Sequence, residues 1–111
     1  MTTQTTAQKF YAAGEVARAT RLVRFLLSQD CAVSIWEGEG WAIKRSTSLP
    51  DLLAALASTG EDKIVVYPAG EKTLRLGDIY LVWGNADDGS ELIADHSDHE
   101  AINSLILLGG F

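Results

Sequence analysis

Cysteine is almost missing from this chain. Cys31 stands alone in 111 residues, so no disulfide can form within it. A lone thiol fits a reducing compartment, and the cytoplasm is the expected setting. Long apolar runs are also missing. None approaches the roughly 20 residues needed to cross a bilayer, so no membrane association is expected. The opening Met1-Thr2-Thr3-Gln4-Thr5-Thr6 has neither the basic region nor the apolar core of a signal peptide. Basic residues are missing from the last third. After Arg75 there is none, while seven acidic residues follow. No glycine-rich phosphate loop is present, because Gly38-Glu39-Gly40 is too short and its carboxylates repel phosphate. No internal repeat or dividing linker is present either, so residues 1–111 read as one domain.

Apolar residues make up 47% of the chain, an ordinary globular share. Net charge is −6, unevenly spread. Residues 1–45 carry six basic and four acidic side chains, a balance of +2. Residues 46–111 carry three basic and eleven acidic ones, a balance of −8. Such asymmetry speaks of partners rather than of fold.

The stretch Leu76–Asp98 organises the reading. Ile79-Tyr80-Leu81-Val82-Trp83 is apolar on both faces, as in a central strand. A polar loop separates it from Leu92-Ile93-Ala94, and together they read as an antiparallel hairpin. Upstream, residues 1–8 offer nothing to pack and are expected to be mobile. Gly14 interrupts a first helix, which is clear from Glu15 to Gln29. There Val16, Ala19, Leu22, Val23, Leu26 and Leu27 share one arc. Val33/Ile35 alternate with Ser34/Trp36, and Trp41/Ile43/Arg45 with Ala42/Lys44. The two glycines between them make a second hairpin, with Trp36 and Trp41 flanking its turn. Ser48-Leu49-Pro50-Asp51 caps a short second helix, with Gly60 as its expected C′ residue. Lys63–Tyr67 is a strand stopped by Pro68 and turned by Ala69-Gly70-Glu71-Lys72. Thr73–Leu76 extends that hairpin or is loop. Ser97-Asp98-His99-Glu100 reads as a capping box before a third helix, and residues 109–111 are expected to fray. The fold class is α+β, in the order α-β-β-α-β-β-β-α. A mostly antiparallel sheet of about five strands carries helices on one face.

The string Val33-Ser34-Ile35-Trp36-Glu37-Gly38-Glu39-Gly40-Trp41-Ala42-Ile43-Lys44-Arg45-Ser46-Thr47 resembles small uncharacterised proteins of bacteriophages, prophages and plasmids of proteobacteria. So does Gly77-Asp78-Ile79-Tyr80-Leu81-Val82-Trp83-Gly84-Asn85, followed by Ile93-Ala94-Asp95 and Ser97-Asp98. The resemblance covers residues 33–103 and leaves the first helix outside. It implies a mobile-element setting, with no established activity and no assigned site residues.

Two surfaces are candidates for function. Asp87, Asp88, Glu91, Asp95, Asp98 and Glu100 form a cation-free acidic series. On a strand, every second residue shares a face, so part of it reads as a row of carboxylates that can mimic nucleic-acid phosphates. The first helix offers Arg18, Arg21 and Arg24 on one arc with Phe25 beside them, a common interface composition. Each has a bland counterpart, a solvated charged face. Asp95, His96 and His99 are the one cluster of metal-type ligands, and a helix start explains them without a metal. Cys31 reads as a buried structural thiol, because Asp30 raises its pKa. Asp87-Asp88 with Glu91 lacks the ligand order of a calcium loop.

The expected function is therefore a small acidic, non-enzymatic binding protein of a mobile element. It would inhibit or modulate a host protein with a basic surface, in a defence or nucleic-acid-handling complex of the anti-CRISPR type. No cofactor and no direct nucleic-acid contact are expected. The alternatives are a metal-dependent or ligand-binding enzyme centred on Asp95, His96 and His99, or a homo-oligomer, such as a homodimer, using the first helix.

Overall fold

A computed structural model describes residues 4–68, 70 and 74–111. The expected turn at residues 69–72 and the start of the 73–76 segment fall largely outside the described residues. Leu74–Leu76 carries no strand. The elements are α1 (Thr6–Phe10), α2 (Ala13–Ser28), β1 (Cys31–Trp36), β2 (Trp41–Ser46), α3 (Leu49–Ala55), β3 (Glu61–Pro68), β4 (Gly77–Val82), β5 (Ile93–His96) and α4 (Glu100–Gly109). This is the expected α+β order with one short helix added in front.

That added helix corrects the expectation of a mobile start over residues 4–8, residues 1–3 lying outside the described residues. Thr5 and Gln8 form a reciprocal capping box, and Ala7 is buried in the core. Gly14 does not interrupt α2 but lies inside it. On α2, Ala19, Leu22, Val23 and Leu26 face the core. Full burial of each leucine contributes roughly 1.5–3 kcal/mol. Ser48 caps α3 as expected, its Oγ accepting the Asp51 N–H at 3.4 Å. Gly60 has φ +90° but is not the C′ residue, since α3 ends at Ala55 and Leu56 caps it.

The sheet runs β2-β1-β3-β4-β5, antiparallel throughout. Its central strand is β3, not β4. β4 alternates buried and half-buried positions, whereas β3 is buried at Ile64, Val65, Val66 and Tyr67. Cys31, Val33 and Ile35 of β1, Ile64 and Val66 of β3, and Ile79 and Leu81 of β4 join α2, α3 and Ile102 of α4 in one core. The opposite face has a small separate cluster of Ala32, Val65 and Tyr67, and no described helix packs on it. Trp36 and Trp41 pair across the β1–β2 turn, edge to face, with centroids 5.1 Å apart.

The chain's last residues are docked rather than frayed. Gly110 adopts φ +76° as the C-cap of α4, and the Phe111 N–H donates to the Ile106 carbonyl at 3.0 Å. The Phe111 ring lies 6.0 Å from that of Phe25. The same helix leaves Leu107 and Leu108 exposed, at 84% and 69%. No membrane-crossing helix occurs among the described residues.

Candidate functional site

The acidic series does not form a row along one strand. Asp87, Asp88 and Glu91 lie in the β4–β5 loop, Asp95 on edge strand β5, Asp98 in the β5–α4 connection, and Glu100 at the start of α4. All six are exposed. The loop that carries the first three folds back on the N-terminus of α2, while Asp98 and Glu100 lie beyond the opposite end of β5. Two glycines permit that approach. A Cβ on Gly14 would clash with the Asp87 carbonyl, and one on Gly89 would meet the Gly14 carbonyl at 2.6 Å. Asp88 therefore sits beside Arg18. Its carboxyl is held below the usual range by the Ser90 N–H first, with Arg18 adding to the effect.

Two buried carboxylates, neither singled out from the sequence, anchor this loop. Glu15 is 1% exposed, and its Oε2 accepts the Gly84 N–H at 2.8 Å. Asp62 is fully buried, and its Oδ2 accepts the Ala57 N–H at 2.7 Å and the Trp83 indole N–H at 2.9 Å. Burial pushes the Asp62 carboxyl above its ordinary value, and the two donors oppose that shift. Both residues left a signal in the sequence. Glu15 shares the apolar arc of Ala19 and Leu22, and Asp62 alternates in phase with Ile64 and Val66. An acid in a core phase marks a buried, hydrogen-bonded carboxylate.

The two surfaces named from the sequence turn out to be neighbours, since Arg18 serves both. Arg18 and Arg21 lie over the Phe111 ring at 5.4 and 4.9 Å, and Phe25 packs against the same ring. Arg24 is exposed and outside that group. Phe25 is thus half-buried within the chain, and the arginine face is already partly covered by Phe111.

Asp95, His96 and His99 are not brought together as a metal-binding group. His96 Nδ1 is 3.2 Å from the Ser97 carbonyl, and His99 Nδ1 is 3.1 Å from Ser97 Oγ. Among the described residues no group of three His, Cys, Asp or Glu side chains is arranged to hold a metal. The capping box at Ser97 is also corrected. His99 is the N-cap of α4, and Ser97 Oγ instead accepts the Asp78 N–H at 2.9 Å, tying β5 to β4. Cys31 is buried, which pushes its thiol up, with Asp30 adding to the shift.

The open face of the sheet went unnoticed in the sequence. Cross-strand pairs place Trp36 beside Trp41, Lys63 between Trp36 and Tyr80, Tyr67 opposite Ala32, and Asp95 opposite Tyr80. Four aromatic residues thus share one face with Lys63 and Arg45. The Arg45 guanidinium lies 5.1 Å above the Tyr67 ring. Acids gather toward β5, where Asp78, Asp95, His96, Lys63, Tyr80 and Ser97 line a hollow of ≈ 410 Å³. Cations gather toward β2. The signal was present as aromatic residues in the solvent phase of β1, β2, β3 and β4.

Comparison of the chain with protein-family models, with curated proteins and with solved structures finds no match.

Proposed function

We propose that this chain is a small acidic, non-enzymatic binding protein of a mobile element that engages a host protein through its acidic end. One observation carries the reading. The carboxylates of Asp87, Asp88, Glu91, Asp95, Asp98 and Glu100 are all exposed, and the ion pair found among the described residues, Arg75–Asp78, uses none of them. Charge of one sign strung along the β5 side of the sheet, offset only in part by Arg18 beside Asp88, raises the local potential and steers a cationic partner. A basic groove that normally takes nucleic-acid phosphates is the fitting counterpart. A defence or nucleic-acid-handling complex, blocked in the anti-CRISPR manner, supplies such a groove.

The test is charge reversal with a control at other exposed acids. Asp87, Asp88 and Glu91 are changed together to lysine. The control reverses Glu39 and Asp51, which are also exposed but lie elsewhere. Glu15 cannot serve as a control, because it is buried. Both variants are used to recover partners from host lysate, and whatever is recovered is titrated at rising salt. Binding should weaken with salt and should drop in the first variant alone. Equal recovery by both variants would exclude the acidic end.

A further inference from the structure

Ordinary alternation along β2 would send Lys44 and Arg45 to opposite faces of the sheet. The register prevents this. Ile35 pairs with Ile43 and Val33 with Ser46, so Ser34 alone stands opposite both Lys44 and Arg45. This is a β-bulge, the device by which a strand re-aims a side chain. Arg45 takes φ +47°, a left-handed conformation that arginine rarely adopts. The strain is held in place by the Arg45 N–H, which donates to Ser34 Oγ at 2.8 Å, and by the guanidinium over Tyr67. The result is a cleft of ≈ 230 Å³ lined by Ser34, Trp41, Lys44, Arg45 and Tyr67. It has two cations and, among its described lining residues, no acid. Two like charges brought together at the cost of backbone strain call for a counter-charge.

We propose that this cleft binds the phosphate group of a small molecule. A phosphate monoester carries about −1.5 to −2 charges near neutral pH, which matches the lysine and arginine together. Its several oxygens accept from the arginine fork and from the ammonium, a larger set of donors than one carboxylate uses. Trp41 is 38% exposed at the rim, where a flat ring attached to the phosphate can stack. The acidic charge of the rest of the chain confines the site to a compact anion and disfavours a long polyanion. The inference is independent of the acidic end, which lies at the opposite edge of the sheet.

The experiment follows backbone amide shifts of the full chain during titration with inorganic phosphate, and separately with a nucleoside monophosphate. The shifts should be confined to Ser34, Trp41, Lys44, Arg45, Tyr67 and their chain neighbours. Stacking on Trp41 should make the nucleotide bind about tenfold tighter than phosphate. Equal affinities would support the phosphate site and assign free phosphate as its ligand. Arg45→Gly tests the site without endangering the fold, since glycine adopts positive φ freely. Its melting temperature should equal or exceed that of the parent, while phosphate binding is lost. Lys44→Gln should weaken binding about tenfold through the lost charge. Absence of shifts at millimolar phosphate would overturn the proposal. So would binding that survives Arg45→Gly, shifts centred on Arg18 and Arg21, or a stronger response to an acidic peptide than to phosphate.

Discussion

The two edges of the sheet are built differently. β2 ends the sheet on one side with Trp41, Lys44 and Arg45, and β5 ends it on the other with Asp95 in a strand of four residues. Both edges are guarded against pairing with another chain, one by a bulge and cations, the other by shortness and acids. The difference lies in what holds the charges. On β2 they are positioned locally, by a hairpin and a bulge within one stretch of chain. At the β5 end they are positioned from far away, since Glu15 and Gly84 are 69 residues apart and hold the loop together. A local device places two charges in one cleft, which suits a compact anion. A long-range one spreads six charges over loop, strand and helix start, which suits an extended basic surface.

The largest expected effect breaks the long-range end. Gly14→Val puts a branched side chain where even a Cβ would clash with the Asp87 carbonyl. The loop must lift from α2, and overpacking of this kind costs about 3 kcal/mol, the upper part of its usual range. Urea unfolding measures the loss. Hydrogen exchange should show residues 84–92 opening first, while the near-ultraviolet signal of the Trp36–Trp41 pair persists until global unfolding. Unchanged stability would mean that the loop does not rest on α2.

The local end should break at one glycine and not at its neighbour. Gly38 has φ +110° and Gly40 an ordinary φ, and neither has a neighbour within 4 Å of a built Cβ. Gly38→Val should therefore cost about 1–2 kcal/mol through backbone strain alone. Gly40→Val should cost far less. Melting temperatures of the two variants decide it, and equal losses would refute the turn geometry.

The sequence made the local features legible and hid the long-range ones. The Trp36–Trp41 hairpin, the Ser48 cap and the α2 stripe each depend on residues a few positions apart, so spacing reveals them. Gly14 looked like an interruption because its purpose, contact with Gly89, lies across the fold. Glu15 stood in the sequence only as the first residue of the clear helical stretch, and its partner at Gly84 is equally distant. Ser97 looked like a cap, but its hydroxyl is taken by β4. The six acids of the candidate surface were visible as residues, and all are exposed. Their arrangement was not visible, because a loop and an edge strand have no fixed period. The β2 cleft was hidden for a related reason. A bulge breaks the alternation from which faces are assigned, and Lys44 and Arg45 read as opposite when the structure puts them together.

A smaller effect sharpens the contrast at Asp62. Its carboxyl is raised by burial, so the folded chain holds that proton more tightly than the unfolded chain does. The associated stability is present below the ordinary carboxylate range and is lost as pH rises through the raised value. Asp62→Asn keeps an oxygen acceptor for the Ala57 and Trp83 donors and removes the buried charge. Melting temperature plotted against pH should lose this component, with neutral-pH stability equal to or above the parent. Asp62→Ala should instead destabilise, because it leaves two buried donors unpaired. A steep fall in both variants would mean that the charge itself is needed.

The smallest effect concerns Asp88, where the two candidate surfaces of the sequence meet. Its carboxyl is lowered, chiefly by the Ser90 N–H, with Arg18 as a lesser cause. For a lowered carboxylate the sign reverses. Its stability is present above the ordinary aspartate range and is lost as pH falls through the lowered value. Asp88→Asn retains the oxygen that accepts from Ser90 and removes only the charge beside Arg18. Folding should therefore be little changed at neutral pH, and the acid limb of the melting curve should flatten slightly. Partner binding should also change little, because Arg18 already offsets part of this charge. Glu91→Gln and Asp95→Asn should each weaken binding more, because they remove charge from the loop and from β5 rather than from the position beside Arg18. Association rates at low salt are the sensitive measurement, as exposed charges act mainly through steering. If Asp88→Asn slows association most, the partner reads the α2 side of the loop, and the acidic surface extends toward Arg18 rather than along β5.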